Sequence, residues 1–274
     1  MVSGEIKKLQ QKELDILKEV IKICNRHNLR WFAIGGTMLG AIRHKGFIPW
    51  DDDIDIGMPR EDYNKLIKYA QEELPEHLEV LTGVKGYDFL FMKIHDKTTT
   101  FLEEACKGKK EWYKGVFIDI MPFDGVPSNL LVKKLYYIMM RQLVKIYDYR
   151  KFGKISGKSI KVQLINYFST ELLHKVWMKL ATNWSFYSSK QTCFTWSIRN
   201  KKLTFDTALF DDLIEVQFED ICVRVPRNYK KYLTQHYGDF MKIPPENERQ
   251  IHNAGGIVDV YKSYNYYLGE MKIW

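Results

Sequence analysis

Four aspartates crowd five positions in Trp50-Asp51-Asp52-Asp53-Ile54-Asp55-Ile56, and isoleucines bracket the last of them. Side chains two apart on a strand share a face, so Asp51, Asp53 and Asp55 are expected to project together while Ile54 and Ile56 enter a core. Like charges held that close raise one another's proton affinity unless a divalent cation keeps them ionised. The segment Ile118-Asp119-Ile120 repeats the pattern of one acid between two apolar residues. If the two strands are neighbours, Asp119 comes within reach of Asp53 and Asp55. Acids around one or two Mg²⁺ (or Mn²⁺) ions are what phosphoryl transfer wants. Asp53 and Asp55 suit the metal role, with Asp51 beside them, and Asp119 is a candidate general base or third ligand.

These acids need elements to hold them. Ile6, Leu9, Glu13, Leu14, Leu17, Val20, Ile21 and Cys24 follow a mostly helical spacing that ends near His27-Asn28. Trp31 to Ile34 reads as a short strand that stops at Gly35-Gly36, and Thr37 as the cap of a helix from Met38 to about His44. Backbone amides of Gly36 and Thr37 at that helix start are suited to receive phosphates, and glycine permits the close approach. After Pro49 the acidic segment reads as a second strand running to Gly57-Met58, and Glu61 to Leu74 as an amphipathic helix. Strands are expected near Glu79 to Leu81, Phe89 to Ile94 and Val116 to Pro122. Beyond them come helices over Leu130 to Tyr149 and about Ile160 to Leu180, a strand pair in Val216 to Pro226, and a helix from Arg227 to His236.

An EF-hand loop is the competing reading of Asp51, Asp53 and Asp55, but Ile56 stands where glycine is needed and Pro49 replaces the preceding helix. Among the basic residues, Arg43, His44 and Lys45 follow the short helix, and Lys93 and His95 end a strand; either group is placed to touch a diphosphate.

Composition narrows the class. A chain of 274 residues with 45% hydrophobic and 14% aromatic content can bury a large core. Cys24, Cys106, Cys193 and Cys222 lack paired metal-ligand spacing, which favours a reducing compartment. Charges within Met1 to Gln11 stand where a secretory signal has its apolar run, so a chain starting near Met1 and working in the cytoplasm is expected. The net charge of +8 favours anionic partners. With no Arg-rich tail or nucleic-acid module, nucleic acid is not among them. Leu130 to Tyr149 is interrupted by Lys133, Lys134, Arg141 and Lys145, too charged to span a bilayer, so peripheral contact at the inner face of the membrane is the expectation.

The stretch Gly35-Gly36-Thr37-Met38-Leu39-Gly40-Ala41-Ile42-Arg43-His44-Lys45-Gly46-Phe47-Ile48-Pro49-Trp50-Asp51-Asp52-Asp53-Ile54-Asp55 resembles the signature of the LicD family. Phe117 through Pro127 resembles that family's second motif, and Tyr237-Gly238-Asp239-Phe240 through Pro244-Pro245 to His252 its closing segment. Fukutin-type ribitol-phosphate transferases are similar relatives. The resemblance implies an α/β (α+β) fold with a nucleotidyltransferase-like core and a mixed sheet over residues 1–128. From Leu130 the sequence itself changes to long helical stretches, which sets a subdomain boundary near Pro127-Ser128-Asn129 and a mainly helical part over 129–274, with a short strand pair and a C-terminal tail, completing the substrate cleft. The resemblance further implies transfer of a phosphorylated alcohol, such as phosphocholine, from a CDP-alcohol donor to a glycan or lipid-linked oligosaccharide of the lipopolysaccharide, teichoic-acid or capsule kind. Asp53 and Asp55 match the catalytic acid pair, Asp119 the third acid, Gly35-Gly36 the phosphate-contacting turn and His252 a substrate contact. Nucleotidyl transfer, or a silent glycan- or nucleotide-binding relative, are the alternatives.

Overall fold

The computed structural model describes residues 3–84, 87–152, 169–194, 203–249 and 256–270. It opens with helix α1 (Ser3–Arg26), whose apolar stripe of Leu9, Leu17, Val20 and Cys24 is fully buried. Asn28, at φ 51°, turns the chain in the left-handed conformation that asparagine tolerates. The short strand β1 (Phe32–Ala33) and helix α2 (Gly35–His44) follow, then strand β2 (Asp55–Pro59) and helix α3 (Arg60–Glu73). Strands β3 (Leu78–Val84), β4 (Tyr87–Asp96), β5 (Thr100–Leu102) and β6 (Phe117–Val126) complete the first half.

Helices α4 (Leu130–Phe152) and α5 (Thr170–Ala181) come next, with strands β7 (Gln191–Phe194) and β8 (Thr204–Asp206). The chain closes with the hairpin β9 (Leu213–Phe218) and β10 (Ile221–Pro226), helix α6 (Tyr229–Tyr237), strand β11 (Ile257–Asp259) and helix α7 (Tyr264–Glu270).

The fold is mixed α/β. The main sheet runs β1-β2-β6-β4-β3, with β2 and β6 parallel and the other neighbours antiparallel. At its far end β6 also pairs with β7, which pairs with β8, so the sheet draws strands from both sides of Pro127-Ser128-Asn129. A long core packs α1, α2 and α3 on this sheet through Leu17, Met38, Ile56, Leu66 and Ile120. A second core joins Tyr136, Met140 and Val144 of α4 to Trp177 of α5, beneath Leu90 and Leu102. A buried Arg60 grips Asp124 with two bonds of 2.8 and 2.7 Å, tying the start of α3 to β6.

Two local expectations are corrected. Thr37 is not the cap of α2, which begins at Gly35 after the extended Ile34. The Thr37 hydroxyl instead accepts the Asp55 N–H at 2.8 Å. Residues 51–54 are not strand, because the ladder begins only at Asp55. The Asp51 N–H turns back to the Ile48 carbonyl at 2.9 Å, so pleat alternation does not align Asp51 and Asp53 with Asp55. The part of the Ile160 to Leu180 helix before Ser169 lies outside the described residues.

Candidate active site

Strand register builds the centre. Asp55 of β2 lies opposite Asp119 of β6, which lies opposite Lys93 of β4, so three side chains form one row across three strands. One step along, Ile56, Ile120 and Met92 form the neighbouring row, each with no exposed surface. Because the pleat sends successive residues to opposite faces, a row anchored in the core obliges its neighbour to point away from it. The Asp119 N–H donates to the Ile54 carbonyl at 2.9 Å, and Lys93 Nζ reaches Asp119 Oδ1 at 2.6 Å. The Lys93 ammonium also sits 3.7 Å from the centre of the Phe117 ring.

The glycine turn abuts this row. Gly35 has φ +53°, a conformation open to glycine at no steric cost, and its N–H donates to the Tyr232 hydroxyl at 3.3 Å. A Cβ at Gly35 would lie 3.3 Å from Asp55 Oδ2, and one at Gly36 only 2.5 Å from Asp51 Oδ2. Two missing side chains thus let two carboxylates lie against the start of α2, where first-turn amides have no intrahelical acceptor. The acidic loop is pinned from the other side by Gln10 of α1, whose amide donates to the carbonyls of Asp51 at 2.8 Å and Ile48 at 3.3 Å.

Charge is concentrated here beyond what the carboxylates tolerate alone. Burial, then Asp53, Asp119 and Asp51, hold the Asp55 carboxyl well above its usual range. Burial raises Asp119 too, opposed by Lys93. Glu13 of α1 is buried beside them, its proton affinity raised by burial and then by Asp53, Asp52, Asp51 and Asp119, and its Oε2 has no hydrogen-bond partner. Lys114 answers from the far side: burial opposes its charge, but Glu103, to which it is bonded, and Asp119 keep it protonated.

The donors are oxygens, the kind that a hard divalent cation takes, and an opposite charge among them would relieve their mutual repulsion; the Glu13 Oε2 has no hydrogen-bond partner. Among the described residues no group of three or more His, Cys, Asp or Glu side chains stands in an arrangement that could by itself hold a metal ion. The site therefore offers acids in proximity and not a finished cage.

The basic residues named from sequence have varied positions. Lys93 is in the row itself. Arg43 donates to the carbonyls of Phe240 at 3.0 Å and Lys242 at 3.2 Å, holding the segment after α6. His44 receives the Arg43 Nε at 2.9 Å, and burial, then Arg43, lowers its proton affinity. Lys45 is exposed at the C-terminus of α2 with φ 58°. His95 is buried, taking the Gly115 N–H at Nδ1 (3.1 Å) and facing Glu79 through Nε2 (3.1 Å), a bonding pattern that serves the fold. The Arg249 guanidinium stacks 4.6 Å from the Trp50 ring, beside the acidic loop. His252 lies outside the described residues.

Glu13, Lys114 and Tyr232 were missed from sequence. For Glu13 a signal existed, a carboxylate standing in the apolar stripe of an amphipathic helix. Nothing local marks Lys114 or Tyr232, which tertiary folding alone brings in.

Fold and site together define a mixed α/β protein with a cluster of acids where two parallel strands pair. Residues 28–150 match the family model described as LicD/FKTN/FKRP, nucleotidyltransferase domain. The chain is 32% identical over 253 residues to the lipopolysaccharide cholinephosphotransferase LicD of Haemophilus influenzae, covering 88% of this chain and 92% of that protein. An uncharacterized protein of Rickettsia typhi is 43% identical over 142 residues, 51% of this chain and 39% of the other. Human ribitol 5-phosphate transferase FKRP is 42% identical over 43 residues, 16% of this chain and 9% of that one. The chain belongs to the LicD family.

Proposed function

We propose that this protein is a metal-assisted phosphotransferase. It would move phosphocholine or a similar phosphorylated alcohol from a CDP-linked donor to a hydroxyl of a cell-surface glycan or its lipid-linked precursor. The observation that carries this reading is the registration of Asp55 with Asp119 beside the Gly35-Gly36 turn. Similarity along most of the chain to a lipopolysaccharide cholinephosphotransferase supports the transferred group and the class of acceptor.

In this reading Asp53 and Asp55, with Asp51 and Glu13 close by, hold Mg²⁺ or Mn²⁺. The bound ion supplies neutralisation of the charge that builds on the phosphoryl oxygens. First-turn amides of Gly36 and Thr37 receive the diphosphate. The acceptor hydroxyl oxygen bonds to the phosphorus nearer the alcohol and the bond to the bridging oxygen breaks. CMP departs with that electron pair, and the hydroxyl proton passes to Asp119. Burial makes Asp119 a stronger base than a surface aspartate, while Lys93 keeps it ionised and oriented. Arg43, His44 and Lys45 are retained as diphosphate contacts and Lys93 can also meet phosphate oxygens; His252 is retained as a substrate contact from the family's closing segment. The reaction is placed on the cytoplasmic side.

The test is turnover of a panel of CDP-alcohols with Mg²⁺ and glycan acceptors, followed by mass spectrometry. CMP together with a phosphoalcohol-bearing glycan is expected. Pyrophosphate released from a nucleoside triphosphate would assign nucleotidyl transfer instead, and nucleotide binding without turnover on any acceptor would assign a silent relative.

A further inference from the structure

Helix α4 carries two apolar stripes where folding needs one. Tyr136, Met140, Leu143 and Val144 face the second core and are buried. Leu131, Leu135, Ile138 and Met139 form another stripe at helical spacing that faces solvent, with Leu131 75% and Leu135 61% exposed. Helix α5, packed on α4 through Leu173 and Trp177, repeats this, leaving Leu172 and Val176 exposed.

Charge tells what covers this face. Lys134 and Lys145 on α4 flank the exposed stripe, with Arg141 between them, and Lys175 and Lys179 do so on α5. Asp148 is the only acidic residue in the sequence between Asn129 and Thr170. The one acid on the described part of α5, Glu171, is paired with Lys175 at 2.7 Å. Leucines rimmed by lysines almost without acids complement acyl chains beneath anionic headgroups. Among the described residues no helix is long and apolar enough to cross a membrane.

We propose that the outer faces of α4 and α5 dock on an anionic lipid bilayer, with Leu131, Leu135 and Ile138 entering the acyl boundary and Lys134, Arg141 and Lys145 meeting headgroups. The docking does not depend on the chemistry assigned to the acidic cluster. Helix α5 packs directly on β4, the strand of Lys93.

The test is flotation of the full chain with vesicles of phosphatidylcholine alone or with added phosphatidylglycerol, at low and high salt. Flotation that requires the anionic lipid and falls with salt is expected. It should be lost in Leu131→Asp/Leu135→Asp and weakened about fivefold for each lysine removed in Lys134→Gln and Lys145→Gln. These variants should keep the wild-type circular dichroism, melting temperature and nucleotide binding, which separates failed docking from misfolding. No flotation on anionic vesicles, or flotation indifferent to these substitutions, overturns the proposal. So does a concentration-dependent dimer in light scattering that Leu131→Asp/Leu135→Asp breaks without any lipid effect. Turnover failing on every CDP-alcohol while flotation persists would sink the proposed chemistry alone.

Discussion

Substituting Glu13 by glutamine should stabilise the metal-free protein, an unusual direction for a change at a fully buried position. Glu13 is surrounded by like charge, and its Oε2 has no partner. A buried polar atom left unsatisfied costs about 1–3 kcal/mol, more when charged. Glutamine keeps the shape, removes the charge and presents an amide that can donate to the neighbouring carboxylates. The expected gain of about 1–3 kcal/mol corresponds to a rise in melting temperature of roughly 2–12 °C for a domain of this size.

The pH dependence has a definite sign. The folded-state proton affinity of Glu13 is raised above the unfolded value, so the folded protein binds the extra proton. The stability it contributes is fully present below the unfolded glutamate value of about 4.3, and is lost as pH rises from there toward the folded value. Asp55 and Asp119 act in the same direction, so Glu13→Gln should flatten the decline without abolishing it. Saturating Mg²⁺ should narrow the gap between the two proteins, because a cation among the acids offsets the same repulsion. The assay is thermal unfolding across a pH series with chelator and with Mg²⁺. A variant that melts at or below wild type in chelator at mildly alkaline pH, with an unchanged pH slope, would refute the reasoning.

Other consequences follow from neighbouring groups. Breaking the Arg60–Asp124 pair with Arg60→Met leaves a charge in the core and should cost about 3–5 kcal/mol by denaturant titration, whereas Arg60→Met/Asp124→Leu should recover most of it. Gly36→Ala should leave stability nearly unchanged, since a helical propensity gain of about 1 kcal/mol offsets the crowding. Its methyl would nonetheless displace Asp51, so calorimetry should find Mg²⁺ binding weakened. Lys93→Met removes the group that holds the Asp119 proton affinity down, so the acidic limb of the kcat/KM profile should move to higher pH.

Legibility from sequence followed the range of the interaction. Ile54-Asp55-Ile56 and Ile118-Asp119-Ile120 announce strands with one outward acid because the period of two is local, and their adjacency follows once both must bury isoleucines in one core. The helix of α3 and the β9–β10 hairpin were legible for the same reason. Thr37 was misread because its hydroxyl serves a strand N–H 18 residues away instead of its own helix. Asp51 and Asp53 were misread as strand because the turn at Ile48 and the tether from Gln10 override local alternation. The short strands Gln191–Phe194 and Thr204–Asp206 are defined by pairing with β6 and with each other, partners distant in sequence and invisible to any window.

The central claim, that acids gathered beside the glycine turn grip a cation serving a diphosphate, is tested most directly by calorimetric titration of Mg²⁺ with CDP present, into wild type, Asp53→Asn and Asp55→Asn. Binding by wild type that weakens about tenfold or more in both variants, each folded by circular dichroism, is the expected result. Equal Mg²⁺ affinity in all three proteins would contradict it.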